Sequence, residues 1–99
     1  MEDDFLFLEK KHGETLLAGK VSENQFWLLA EISPIHSRKV INALRDLLVF
    51  GYSKREACER NGVSQGYLSS ALGRIQKVNY TVSRLAPFYI ARPGITHME

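Results

Sequence analysis

Basic and small polar side chains gather between residues 53 and 78. Lys54 and Arg55 open one predicted helix there, and Arg74 and Lys77 belong to the next. Cationic side chains in such positions hold phosphates and fix the register of a protein on a nucleic acid. Between the two pairs, the second helix would follow its cap Ser64 and expose residues that are small or polar: Gln65, Gly66, Ser69, Ser70 and Gly73.

A helix with so small an outer surface can lie close in a groove of DNA. Gln65 and Ser69 stand one turn apart on that surface, and both side chains can reach base edges or phosphates. Tyr67 is open to two interpretations, as a core residue or as a phosphate contact. The four basic residues and the exposed polar set therefore predict a site for double-stranded DNA.

Capping signals define the two helices that would carry this site. Ser53 and Glu56 have the spacing of a capping box, in which each side chain bonds the backbone N–H of the other residue. Gly62 follows as a turn residue. Ser64 then caps a second helix, which we expect to run to about Val78. Two helices joined by residues 62–64 form a helix-turn-helix, predicted here at residues 53–78.

A helix-turn-helix also needs particular packing residues. Cys58, with Ala57 beside it, supplies the small side chain where the second helix crosses the first, and Val63 supplies the apolar residue of the turn. Leu68 and Ala71 are expected to point inward. Compact helical domains that bind no nucleic acid can contain the same pattern, so the pattern alone leaves that alternative open.

Capping and stop signals predict further helices on both sides of this pair. Ser22 begins one that reaches about Ile32. Another follows Ser33, with Pro34 at its first position and Gly51 at its end. Beyond Tyr80 the chain is expected to continue as a helix until Pro87 stops it.

These elements predict an all-α fold, a small helical domain of four to five helices that contains the helix-turn-helix. The domain covers residues 22–89. An N-terminal arm at residues 1–21, whose degree of order is left open, precedes it, and a flexible tail at residues 90–99 follows.

The first helix has more apolar surface than one small core can bury. Phe26, Trp27, Leu28 and Leu29 occupy adjacent positions, which face different sides of a helix. The segments 5–8 and 85–89 add further apolar residues. We therefore expect self-association to a dimer or a higher oligomer through the first helix and the N-terminal arm, with cooperative binding along DNA.

Charge is unevenly distributed along the chain. Residues 1–36 carry three Lys against seven acids, a net −4, whereas residues 37–99 carry ten Lys and Arg against four acids, a net +6. The basic part suits an anionic partner. An unevenly charged, solvated surface explains the same numbers, so charge alone does not decide between the two.

Other function classes find little support in the sequence. The three histidines lack the spacing of metal ligands, and nothing places a nucleophile, a base and an orienting acid together. We therefore expect no enzyme, no metal and no cofactor. Cys58 is interpreted as a small buried residue, with a redox switch as the alternative. The apolar runs of the chain are too short to span a bilayer, so a cytoplasmic protein is expected rather than a membrane protein.

The stretch from Ser22 to Tyr89 resembles the PapB-type regulators of bacterial fimbrial adhesin operons. Six segments carry the resemblance: FWLL at 26–29, ISPIHS at 32–37, SKREACE at 53–59, GYLS at 66–69, LGR at 72–74 and RLAPFY at 84–89. Asn61 departs from the usual helix-turn-helix pattern, in which that position is commonly apolar.

The resemblance implies a bacterial transcription factor of the cytoplasm, associated with the nucleoid. Such a protein would bind A·T-rich sites near fimbrial promoters and oligomerise along DNA. Some members are described as antiterminators that act on transcripts, so RNA remains an alternative partner. A helical adaptor that binds only proteins is a third alternative, against which the basic residues beside the second helix argue.

Overall fold

The computed structural model describes residues 15–90, which form four α-helices and one short 3₁₀ helix. The helices are α1 (Glu23–Ile32), α2 (Arg38–Leu48), α3 (Lys54–Asn61) and α4 (Gln65–Leu85), and the 3₁₀ helix covers Ala86–Phe88. No strand occurs in this part of the chain, so the predicted all-α class is confirmed. Within the same residues, no helix is long and apolar enough to cross a bilayer.

Each α-helix begins at a serine N-cap. The hydroxyls of Ser22, Ser37, Ser53 and Ser64 accept from the backbone N–H three residues further on, at 3.1, 3.3, 3.1 and 3.1 Å. A cap of this kind stabilises a helix by about 1 kcal/mol. At α3 the Ser53 backbone N–H also donates to Glu56 Oε1 at 2.9 Å, so the predicted capping box is complete.

The predicted start of α2 after Ser33 is wrong, because α2 begins at Arg38. Ser33 instead ends α1: its backbone is extended and its hydroxyl donates to Leu29 O at 2.6 Å. A residue before proline favours that extended conformation, so Pro34 opens a linker rather than a helix. Residues 33–37 form this linker, and Ser37 supplies the cap.

The two helix ends also differ from expectation. α2 ends at Leu48, before Gly51, although Gly51 does take the left-handed conformation (φ +82°) and its N–H bonds Leu47 O. α4 is one continuous helix of 21 residues rather than two helices meeting near Tyr80. Nothing between Val78 and Leu85 breaks a helix, and Asn79 continues the inward stripe, only 7% exposed.

The core draws on all four helices and on the segment before α1. Its fully buried large side chains are Phe26, Val40, Leu44, Leu48, Leu68 and Ile75. Leu16 and Val21 are buried as well, and the Leu16 backbone exchanges two hydrogen bonds with the Gln76 side chain at 2.9 and 2.8 Å. The packed domain therefore includes residues 15–21, which lie before the predicted boundary at residue 22.

An ion pair joins α1 to α2 at the surface. Arg45 donates to both carboxylate oxygens of Glu23, with Nε at 3.1 and 3.0 Å and Nη2 at 2.6 Å. Trp27 Nε1 donates to the same carboxylate at 2.9 Å. The hydrogen bonds from Arg45 lower the pKa of Glu23, and the carboxylate in turn raises the pKa of Arg45.

The four apolar residues of α1 divide between two environments. Phe26 and Leu29 are buried in the core of the single chain, so these two do not supply accessible interface surface. Trp27 is 41% and Leu28 64% exposed, and Ile32 adds an exposed side chain one turn beyond Leu28. Self-association stays a prediction, now based on Trp27, Leu28 and Ile32. Its other expected contributor, the segment 5–8, lies outside the described residues.

Candidate functional site

The helices α3 and α4 are joined by the turn at residues 62–64. Gly62 ends α3 in the left-handed conformation (φ +68°), and the N–H of Val63 donates to Cys58 O at 3.1 Å. Glycine adopts this conformation at the lowest cost, which explains why the chain reverses here. Ser64 then caps α4 directly, so the predicted short connection between the two helices is present.

Small side chains lie where α3 packs against the rest of the domain. Ala57 is fully buried and Cys58 is 6% exposed, alongside Leu68 and Ala71 of α4. Val63 is half-buried and packs against this cluster, as expected for the apolar residue of the turn. Cys58 is a free, buried thiol and thus occupies the position of a small apolar residue.

A buried carboxylate, which the sequence did not predict, anchors α3 to α2. Asp46 is only 8% exposed. Its Oδ2 accepts from Arg60 Nε at 3.0 Å and from Asn61 Nδ2 at 2.8 Å. The hydrogen bond to Asp46 raises the pKa of Arg60, whose guanidinium also lies 4.2 Å from the centre of the Tyr52 ring.

This anchor gives the polar residue at position 61 a structural reason. Asn61 donates to Asp46 and also to Ala57 O at 2.8 Å, so its amide replaces apolar packing with hydrogen bonds. No local signal in the sequence predicts this contact, because Asp46 lies on α2 whereas Arg60 and Asn61 lie at the end of α3. Only the tertiary arrangement brings the three together.

The outer face of α4 is exposed along its first three and a half turns. It consists of side chains that turn away from the core: Gln65, Gly66, Tyr67, Ser69, Ser70, Gly73, Arg74 and Lys77. Tyr67 is 58% exposed, which removes its interpretation as a core residue. A Cβ added at Gly66 or Gly73 would meet nothing within 4 Å among residues 15–90, so packing within this part of the chain requires neither glycine.

Three of the four predicted basic residues lie on this face or contact it. Lys54 reaches across from α3, with Nζ 3.4 Å from Ser69 Oγ. Arg55 is exposed but pairs with Glu59 at 3.3 Å on its own helix. Arg74 and Lys77 have no acidic partner within residues 15–90. The structure thus brings Lys54 beside the outer face of α4, which includes Arg74 and Lys77, and pairs Arg55 with Glu59 on α3.

The linker 33–37 lies against the same helix, a relation that sequence periodicity could not show. Pro34, His36 and Ser37 share a surface cleft with Tyr67, Ser70 and Arg74. A neighbouring groove joins Pro34 to Arg74 and Lys77. Among residues 15–90, no three His, Cys, Asp or Glu side chains are grouped so that they could hold a metal ion.

Comparison with known proteins places this arrangement among bacterial regulators. The AFA-III adhesin operon regulatory protein of Escherichia coli is 56% identical over 94 residues, which cover 95% of this chain and 93% of that protein. The F1845 adhesin operon regulatory protein of the same species is 64% identical over 78 residues, 79% of this chain and 92% of the relative.

The fold has a solved counterpart in the crystal structure of E. coli FocB. That structure matches with a TM-score of 0.75 and 45% sequence identity over 88% of this chain and 99% of FocB. The family model described as PapB, adhesin biosynthesis transcription regulatory protein, matches residues 1–89. The match extends to residue 1, beyond the residues 22–89 that carry the resemblance described above. The resemblance is confirmed, and this chain belongs to the PapB family of adhesin biosynthesis transcription regulatory proteins.

Proposed function

We propose that this chain regulates transcription of a fimbrial or adhesin operon by binding double-stranded DNA, with α3 and α4 acting as a helix-turn-helix. It works in this proposal without catalysis, in the bacterial cytoplasm at the nucleoid. The regulatory role is the one named for its relatives. The DNA-binding role is supported chiefly by the outer face of α4.

The two glycines of α4 carry the proposal. Glycine inside a helix costs roughly 0.5–1 kcal/mol relative to alanine. Gly66 and Gly73 are exposed and have open space around them, so no contact within the described chain offsets that cost. A partner that approaches the helix backbone closely would make use of both positions. The floor and walls of a DNA groove are such a partner.

The polar side chains beside the glycines match that partner. Gln65 and Ser69 can donate to and accept from base edges, while Lys54, Arg74 and Lys77 surround them with positive charge. Lys54 is held beside Ser69, so α3 and α4 contribute to one surface. Arg55 serves as an outlying phosphate contact, for which its pairing with Glu59 must open.

We further propose cooperative binding to A·T-rich DNA near promoters. One helix-turn-helix reads few base pairs, so useful specificity requires several copies on neighbouring sites. The exposed Trp27, Leu28 and Ile32 of α1 give a second copy an apolar surface to contact. Preference for A·T-rich DNA then comes from groove shape and deformability more than from single base contacts.

The test uses Gly73→Ala and compares duplex DNA with RNA of matching sequence at a stated salt concentration. Wild type should bind the duplex more tightly than the RNA. Gly73→Ala should raise the unfolding free energy by about 0.5–1 kcal/mol, because alanine favours the helix. The same variant should bind DNA several-fold more weakly, because its methyl group holds the helix away from the groove.

A matched control separates the two effects. Asn24→Ala improves helix propensity on α1, where Asn24 is exposed, and should stabilise the protein without changing DNA affinity. Tighter binding to the RNA would favour the antiterminator alternative. Absence of binding to either nucleic acid would favour the adaptor and contradict the proposal.

A further inference from the structure

A cleft of about 210 Å³ separates the linker 33–37 from α4. Its floor is apolar, formed by Ile35, Val40 and Ala71, which are all buried. Its rim is polar, with His36 and Ser37 on the linker side and Tyr67, Ser70 and Arg74 on the α4 side. The rim residues of α4 are the same ones that belong to the outer face, so the cleft opens directly beside the proposed DNA surface.

The positive surface continues past the cleft. A second groove of about 320 Å³ is lined by Pro34, Arg74, Lys77, Val78 and Thr81. Pro34 and Arg74 belong to both depressions, and the two together follow one side of α4 from Tyr67 to Thr81. The linker therefore forms the far wall of a channel that runs alongside the helix.

The chemistry of the rim is that of an anion site. A guanidinium, an imidazole, a phenol and two hydroxyls line the cleft, and no carboxylate of residues 15–90 lines either depression. The Ser37 hydroxyl accepts from Val40 N at 3.3 Å as the cap of α2, which leaves its own proton available to donate. Arg74 has no acidic partner within residues 15–90.

We propose that this cleft binds one backbone phosphate of the duplex that α4 contacts. The linker, and His36 in particular, is then a DNA contact outside the helix-turn-helix. The inference rests on the proposed DNA-binding function and extends the contact surface to a third element. Arg74 joins the two parts, since its side chain borders both the cleft and the outer face. The cleft is open and shares residues with that face, so it suits a phosphodiester of a bound duplex better than a small molecule that must be fully enclosed.

The experiment places a negative charge in the cleft. His36→Asp should weaken binding to an A·T-rich duplex about tenfold, because a carboxylate there repels the phosphate. Asn24→Asp makes the same change in formal charge at an exposed position of α1 and should alter affinity less than about twofold. Equal thermal midpoints for both variants would show that folding is intact. Equal affinities for both variants would overturn the inference.

A second arm identifies the ligand as a backbone phosphate. Duplexes that carry one neutral methylphosphonate linkage are scanned along each strand. One linkage should weaken wild-type binding but restore part of the affinity lost by His36→Asp, since a neutral linkage no longer repels the carboxylate. Wild-type affinity that is insensitive to every linkage would overturn the inference, as expected if the cleft holds only free anions. Failure of wild type to bind any duplex would instead contradict the proposed function.

Discussion

The exposed surfaces of α4 and α1 differ in side-chain chemistry and in whether the cations beside them are already paired with carboxylates. On α4 the side chains are small or polar, and Arg74 and Lys77 have no acidic partner within residues 15–90. On α1 the exposed side chains include the apolar Trp27, Leu28 and Ile32, and the nearby cation Arg45 is held by Glu23. The first face suits an anionic partner, and the second suits a protein surface.

The same comparison separates structural arginines from available ones. Arg45 and Arg60 each bond a carboxylate and each lie over an aromatic ring, at 4.9 Å from Phe50 and 4.2 Å from Tyr52. The net +6 of residues 37–99 already subtracts Asp46, the partner of Arg60, but not Glu23, the partner of Arg45. Net charge by region therefore counts Arg45 as available although the folded chain pairs it.

The largest effect is expected when the cations of α4 that have no acidic partner within residues 15–90 are removed. The double variant Arg74→Ala with Lys77→Ala should lower duplex affinity about 100-fold at low salt, because roughly tenfold is lost with each phosphate contact. The slope of log affinity against log salt should fall by about two units. Titrations at several salt concentrations measure both quantities.

The matched control for this double variant is Arg84→Ala. Arg84 is an exposed cation further along α4 that lies over the Tyr80 ring, outside the outer face. Its removal should leave the salt slope close to the wild-type value. If Arg84→Ala lowers the slope as much per residue as the double variant does, the distinction between the two parts of α4 is lost.

Local signals predicted the helices wherever only one signal was present. Ser53 with Glu56, Gly62 and Ser64 fixed the bounds of α3 and the start of α4, because capping bonds and a left-handed turn are made by neighbours in sequence. The predicted start of α2 was wrong because two serines, one on either side of Pro34, could each cap the helix. The predicted end of α4 was wrong because residues 78–85 contain no helix-breaking residue, so the helix continues.

The candidate site divides in the same way. Sequence periodicity correctly predicted the exposure of Gln65, Gly66, Ser69 and Ser70, since facing follows from helix geometry once the core stripe is known. It could not predict that Asp46 is buried, because the hydrogen-bond donors that compensate the desolvation of its carboxylate come from α3. The cleft between the linker and α4 was equally hidden, because it exists only between segments distant in sequence.

An intermediate effect is expected from a substitution among the exposed apolar residues of α1. Leu28→Ser should reduce cooperativity on tandem sites about tenfold while single-site affinity stays unchanged, because effective concentration falls when copies no longer contact each other. Leu28 is 64% exposed, so the change should cost the fold little. Sedimentation and binding to one site against two sites measure the effect. Ile90→Ser, at a similarly exposed residue of the C-terminal part, is the control, and a wild type that is monomeric and non-cooperative would contradict the prediction.

The smallest effect concerns the ion pair between Glu23 of α1 and Arg45 of α2. The pKa of Glu23 is lowered below 4.5, mainly by its hydrogen bonds from Arg45. A carboxylate with a lowered pKa in the folded state stabilises the fold above its unfolded pKa, and this contribution is lost as pH falls through the folded value. Wild type should therefore have a slightly higher thermal midpoint than Glu23→Gln at pH 7, and the difference should shrink in acid.

Salt and a second glutamate test the cause of that difference. Because both partners are partly exposed to solvent, high salt should also reduce the gap in thermal midpoint between wild type and Glu23→Gln at pH 7. Glu31→Gln neutralises an exposed acid on the same helix and should show no gap that closes between pH 7 and acid. If the gap for Glu23→Gln is the same at pH 7 and in acid, the carboxylate charge does not hold α1 to α2. The hydrogen bonds to Arg45 and Trp27, which a neutral amide can still accept, would then account for the contact.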